Sequence, residues 1–264
     1  MLELLKEQLK NKPRKFEEAR EFLQLLILKI IDEKGFFQHM AFVGGTALRI
    51  LYDLKRFSED LDFSLTSDQK TFSFSELIST LKRELELQNF KFTVTHKENK
   101  AVASAFFKFD QLLFDLKLSP HKDEKLSIKI EIDQNPPKGF QSTLTFLNKI
   151  FLINIHQYDL PSLFAGKLHA ILFRKYTKGR DFYDFIWFMS RKIEPNYTLL
   201  SNAILQTEHK KTNLDKKALS ELLYDRIEKI DFKKIKLDIA PFLADAQEIR
   251  FFEKELFLNL IKNM

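Results

Sequence analysis

The spacing of hydrophobic and polar positions changes twice along this chain. Phe16, Leu23, Leu26, Ile27 and Ile30 recur at helical spacing with Gly35 beyond them, so the pattern predicts an amphipathic helix over 16–33. "MAFVGG" predicts a short buried strand entering a glycine turn, and "TALRILYDL" a helix. "DLDFSL" predicts a strand with Leu61, Phe63 and Leu65 on one face. Ser73 followed by Glu76 is a capping-box pattern that opens a helix reaching about Gln88. "FKFTVTHKENKAVASAFFKF" predicts a hairpin turning at "ENK", "LFDLKLS" and "KLSIKIEID" two further strands, and "QNPPKGF" a loop. From Leu160 onward the period becomes helical, in "LPSLFAGKLHAILFRKY", "DFYDFIWFMSRK", "YTLLSNAILQ", "DKKALSELLYDRIEKI" and "ADAQEIRFFEKELFLNLIK". The expectation is an α+β fold. A mixed-sheet domain over 1–157 precedes a helical lobe over 158–264, with a ligand cleft between them.

Composition sharpens this picture in a few places. A hydrophobic fraction of 44% over 264 residues supplies an ample core, and 28 Phe against one Trp and 6 Tyr make phenylalanine its main bulky filler. Most Phe recur at core spacing; Phe72, Phe74 and Phe140, near loops, are the candidates for stacking on a base. The absence of Cys excludes disulfides and thiolate metal sites and suits a reducing cytoplasm. The 6 His lie apart, without zinc-ligand spacing. The N-terminus is charged throughout, without the apolar segment of a signal peptide, and "FLQLLILKII" is too short to span a bilayer. A cytoplasmic protein with no membrane partner is expected. The formal net charge of +6 is a mild excess, compatible with nucleotides or RNA.

Two acids stand out. On a strand, Asp60 and Asp62 point the same way, about 7 Å apart. Such a pair is either an outer strand face in water or a seat for a hard divalent cation, Mg²⁺ or Mn²⁺. In "LSIKIEID" the isoleucines take one face and leave Lys129, Glu131 and Asp133 on the other. If the two strands are neighbours, Glu131 supplies a third carboxylate. Asp133 is the alternative, or belongs to the following turn. Three convergent acids suit a two-metal phosphoryl-transfer site. In "VGGTALRI", Gly44 and Gly45 let backbone approach a phosphate at a helix start, and the Thr46 hydroxyl either caps that helix or donates to a phosphate oxygen. Neither a Walker A loop nor a Rossmann fingerprint is present.

The stretch "FVGGTALRILYDLKRFSEDLDFSL" resembles the nucleotidyltransferase superfamily related to polymerase β, whose motif is a Gly-Gly or Gly-Ser turn followed by D-x-D/E. More narrowly it is similar to the AbiEii/AbiGii toxin branch, matched through the G-G-T-A-L start and Arg56, Ser58, Asp60 and Asp62. Thr46 stands where the superfamily commonly has Ser. A second segment, "LFAGKLHAILFRKYTKGRDFYDFIWF", is similar to the branch at Lys167, Leu168, Ala170, Arg180, Asp181 and Asp184, with Phe185 replacing the usual Leu. The likeness is close over 42–65 and 160–188.

The resemblance implies transfer of an NMP from an NTP, with Mg²⁺ or Mn²⁺ held by Asp60 and Asp62, and with Glu131 as third ligand or as base for the acceptor. Gly44, Gly45 and Thr46 would cradle phosphates. Lys167 would steady the triphosphate, and Asp181 would position that lysine or the acceptor. Spacing alone puts Lys167 and Arg174 on one helix face, adds positive charge at Lys178 and Arg180, and puts Asp181 and Asp184 one turn apart. A bland reading of the same residues is helix-end charges complementing the dipole. The resemblance further implies a toxin that modifies RNA, such as a tRNA 3′ end, and a cognate antitoxin. Alternatives are transfer to a small hydroxyl compound or protein side chain, and a catalytically silent nucleotide- or RNA-binding module.

Overall fold

The computed structural model describes residues 1–67, 71–98 and 101–264. Among these, helices α1 (Leu2–Gln8) and α2 (Lys15–Glu33) lead into strand β1 (Met40–Val43), helix α3 (Gly44–Tyr52), β2 (Leu61–Leu65) and α4 (Phe74–Leu87). The hairpin β3 (Phe92–Glu98) and β4 (Val102–Phe109) follows, then the short α5 (Leu112–Asp115) and β5 (Leu126–Asp133). Next come β6 (Ser142–Asn148) and β7 (Leu152–Tyr158). The rest is helical: α6 (Leu160–Phe173), α7 (Gly179–Ser190), α8 (Tyr197–Glu208), α9 (Lys216–Glu228), α10 (Phe232–Ile239) and α11 (Lys254–Lys262).

The chain divides into two compact units. The first comprises Met1–Thr46, Glu59–Pro136 and Leu144–Gln157; the second comprises Ala47–Ser58, Pro137–Thr143 and Tyr158–Met264. Two segments from the strand-rich part of the sequence, 47–58 and 137–143, thus count with the helices.

The first unit is organised by a sheet whose described strands run β3-β4-β5-β2-β1-β7-β6. β2 runs parallel to β5 and antiparallel to β1, and β1 runs parallel to β7. Leu126, Ile128, Ile130 and Ile132 of β5 are fully buried and alternate with half-buried Ser127, Lys129, Glu131 and Asp133. Period-two patterning therefore places the acids on the face away from the core. α2 packs against β5 and α4, and Phe42 and Phe63 meet in the core with ring centroids 5.3 Å apart. Ser73 caps α4, its hydroxyl accepting from the Glu76 N–H at 3.2 Å.

Within the second unit α6 packs on α7 and α8, α7 on α10, and α9 on α11. Its core is aromatic: Phe164 stacks on Phe188 at 4.4 Å, and Phe185 on Phe257 at 6.0 Å. Gly179 opens α7 where a Cβ would come within 2.6 Å of the Ile235 carbonyl, so only glycine lets α10 approach. The Gly179 N–H donates to the Asp238 carboxylate at 2.6 Å.

Three expectations from the sequence are corrected. "LFDLKLS" opens in the helical turn α5 and not in a strand, with Leu112 and Leu113 buried side by side in it. α3 starts at Gly44, so Thr46 is its third residue and not its cap. Phe74 is fully buried and so is no platform for a base, while Phe140 is half-exposed with one face stacked on Tyr158 at 4.6 Å. β6, β7, α1 and α10 were not anticipated. The expected "ENK" turn at 98–100 falls partly outside the described residues.

Candidate active site

In the first unit the site is built on the β1–α3 turn and on β2. Gly44 has φ of +80°, in the region that favours glycine. A Cβ there would also lie 3.0 Å from the Asp62 Cβ and 3.1 Å from its carboxyl carbon. Gly44 is thus required twice, for the turn and for the seat of the Asp62 carboxylate. Thr46 is fully buried, and its hydroxyl donates to the Asp60 carbonyl. That bond ties the residue before β2 to the first turn of α3. The start of a helix carries the positive end of its dipole, the general setting in which anions are held.

Register places Asp62 directly beside Glu131, and Ser64 beside Asp133. The Asp133 carboxylate accepts the Asn135 N–H at 3.0 Å, and burial raises its pKa against that bond. Asp133 therefore serves the turn after β5, and Glu131 is the carboxylate next to Asp62. The Glu131 side chain, however, pairs with Lys129 at 2.7 Å. Lys129 Nζ also lies 5.4 Å from the Phe106 ring centroid. Asp60 sits one residue before β2, so strand alternation does not fix its direction. Among the described residues no three Asp, Glu or His side chains gather closely enough to hold one metal ion. The backbone aligns Asp62 with Glu131, but the three carboxylates do not converge. The donor set itself, all carboxylate oxygens on a half-buried face, is of the type that hard divalent cations take. Lys129 is the counter-charge that such a cation would relieve.

The second unit holds the cationic residues. Lys167, midway along α6, pairs with Asp184 at 2.8 Å and Asp181 at 3.1 Å, both on α7 one turn apart. Arg174 also pairs with Asp181, from just past the end of α6. Burial works against charge on Lys167, but Asp184 and Asp181 outweigh it and hold its pKa above the usual lysine range. Burial likewise opposes ionisation of Asp184, and Arg56 and Lys167 reverse it, so its pKa lies below the usual carboxylate range. Arg180 lies 4.1 Å over the Phe242 ring, and Lys178 is exposed ahead of α7. The network includes Arg56, which the sequence reading used as a motif match without assigning it a role. Its only signal was its place between the glycine turn and the acids.

The family profile described as nucleotidyl transferase AbiEii toxin, type IV toxin–antitoxin system, matches residues 26–254. The chain belongs to that family. It is a nucleotidyltransferase of the AbiEii type, and membership brings an NTP substrate and an antitoxin partner at the level of the family. The fold is shared with solved structures. A crystallised candidate nucleotidyltransferase from H. pylori aligns with a TM-score of 0.54 and 19% identity, covering 92% of this chain and 94% of that one. JHP933 from Helicobacter pylori aligns at 0.52 and 18% identity, covering 94% and 92%. No curated protein matches the chain. The described residues of this AbiEii chain include no helix long and apolar enough to cross a membrane.

Proposed function

We propose that this AbiEii chain transfers an NMP from an NTP to a hydroxyl of RNA, in the cytoplasm, and that a tRNA 3′ end is the acceptor. The observation that carries the reading is the pairing of Asp62 with Glu131 in adjacent parallel strands, with the Asp62 carboxylate seated on Gly44. Asp60, Asp62 and Glu131 would hold Mg²⁺ or Mn²⁺, which when bound supplies Lewis-acid charge for the acceptor hydroxyl and the phosphates. For this, Glu131 must leave Lys129. The acceptor oxygen attacks the α-phosphorus, its proton passes to Glu131 where that carboxylate serves as base in place of third ligand and to water otherwise, and the bond to the β-phosphate oxygen breaks to release pyrophosphate. Backbone amides of Gly44, Gly45 and Thr46 cradle the β- and γ-phosphates, while the Thr46 hydroxyl fixes Asp60. Lys167 steadies the triphosphate as charge builds on the leaving pyrophosphate. Asp181 and Asp184 position Lys167, and Arg174, Lys178 and Arg180 add positive charge. The mild basic excess is compatible with RNA and does not distinguish it from a small hydroxyl compound.

The test is incubation with each labelled NTP, Mg²⁺ and total RNA, with small hydroxyl compounds and protein as competing acceptors. Label entering the RNA fraction, and lost on replacing Asp62 by Asn, is expected. Folded protein that transfers label to no acceptor from any NTP rejects the reading.

A further inference from the structure

Arg56 has no role in the reaction as written, yet its side chain is 1% exposed. Its guanidinium forks onto Asp184, Nε to Oδ1 at 2.7 Å and Nη2 to Oδ2 at 2.6 Å, across 128 residues of sequence. Its remaining terminal nitrogen donates to the Phe57 carbonyl at 3.0 Å. The Phe57 N–H in turn donates to the Phe242 carbonyl at 2.8 Å, and Arg49 donates to the Leu54 carbonyl. The arginine is therefore held by a backbone that is itself fixed within the second unit.

Asp184 has a side chain 0% exposed, and its Oδ2 takes Lys167 as well as Arg56. Charges alternate through Arg56, Asp184, Lys167, Asp181 and Arg174. Among these five residues the cations outnumber the carboxylates by three to two. An ammonium has three N–H groups. Two of those on Lys167 go to Asp184 and Asp181, and one remains for a further acceptor. Stability alone is a weak reason for such a cluster, since apolar replacements of a buried ion pair are often as stable.

We infer that Arg56 is a positioning residue: its fork fixes both oxygens of Asp184, and Asp184 with Asp181 pins Lys167 with one N–H directed to a phosphate oxygen of the substrate. The phosphate in this statement rests on the proposed nucleotidyl transfer; the anchoring of Lys167 does not. A lysine left to swing on its four-carbon stem would lose orientation, the quantity on which transfer of a charged group depends.

The test uses the full chain and replaces both members of the fork by apolar residues, Arg56→Met with Asp184→Leu, so that no buried charge is stranded. The variant Arg56→Lys keeps the charge without the fork. Two readouts are taken: the rate at which an amine-reactive methylating reagent modifies Lys167, followed by mass spectrometry, and the steady-state kinetics of label transfer. In the double variant, with its unfolding midpoint near wild type, Lys167 is expected to react like an exposed lysine. Its kcat falls by about 10²-fold while KM for the NTP changes little. Arg56→Lys is expected to fall between, with Lys167 partly protected. A folded double variant in which Lys167 stays as protected as in wild type overturns the proposal, as does one with undiminished kcat. Should the double variant not fold, Arg56→Lys decides by the same two readouts, and wild-type labelling and kcat would overturn it. Lack of transfer by the wild type would count against the nucleotidyl-transfer reading, while the labelling rates still judge the anchoring.

Discussion

The two groups of charged residues are held in opposite ways. On β2 and β5 the carboxylates are half-buried, and the neighbour of Glu131 is a lysine two residues away on its own strand. On α6 and α7 the carboxylates are buried, and each is gripped by two cations. A half-exposed carboxylate can turn from lysine to another cation at small cost, because water compensates for the change. A fully buried one cannot, because losing its partner strands a charge in low dielectric. The sheet acids are thus suited to accept and release a ligand, and the helix network to keep one geometry throughout.

The contrast predicts opposite mutant phenotypes. Asp62→Asn should abolish label transfer, a loss on the order of 10³-fold or more, with an unfolding midpoint near wild type. Transfer assays and urea unfolding on the same preparation check both halves. Asp184→Ala should instead unfold more readily, by about 3–5 kcal/mol, because it leaves Arg56 and Lys167 buried without their shared partner. A stable Asp184→Ala protein would show that the network is looser than its geometry indicates.

Gly44→Ala tests the junction between turn and acid. An alanine at φ of +80° is strained, and its methyl meets the Asp62 carboxylate. A loss of about 1–3 kcal/mol in unfolding free energy is expected from the backbone, together with a fall in transfer beyond what stability explains. If transfer survives at the wild-type rate, the Asp62 position is not what limits the chemistry.

The pH dependence of stability separates the regions further. Asp184 has a folded pKa below its unfolded value, so its contribution is complete above the usual aspartate range and is lost as pH falls through the lower folded value. Lys167 has a raised folded pKa, so its contribution is complete below the usual lysine range and is lost as pH rises through the folded value. Urea midpoints measured from neutral pH down through the carboxylate range should fall in wild type. They should fall less steeply in the Arg56→Met, Asp184→Leu variant, which lacks the ionisation.

Much of this was legible in the sequence, where the physics is local. The strict alternation of "LSIKIEID" became β5 with its isoleucines inward, and the Ser73 and Glu76 pattern became a cap with the expected bond. The pairing of Arg56 with Asp184 spans 128 residues, and no periodicity within a window can announce it. β6 was missed because Leu144 and Phe146 are exposed, so its apolar positions do not report a core face. The turning of Glu131 to Lys129 follows from charge proximity on one strand face. The sequence displayed it, but a metal-centred reading passed over it.

That lysine gives the last and smallest prediction. If Lys129 neutralises the acids when no metal is bound, Lys129→Gln removes a competitor for Glu131 and leaves the carboxylates repelling one another. Divalent binding should then tighten, by up to about fivefold for a half-exposed pair worth up to about 1 kcal/mol. Titration of Mn²⁺ by paramagnetic resonance reads this without any turnover. The gain should disappear in Lys129→Gln combined with Glu131→Gln, since the lysine then has no carboxylate to release. Unchanged Mn²⁺ affinity in Lys129→Gln would mean that Glu131 takes no part in holding the ion. The acids at the start of β2 would then be the whole of the metal site.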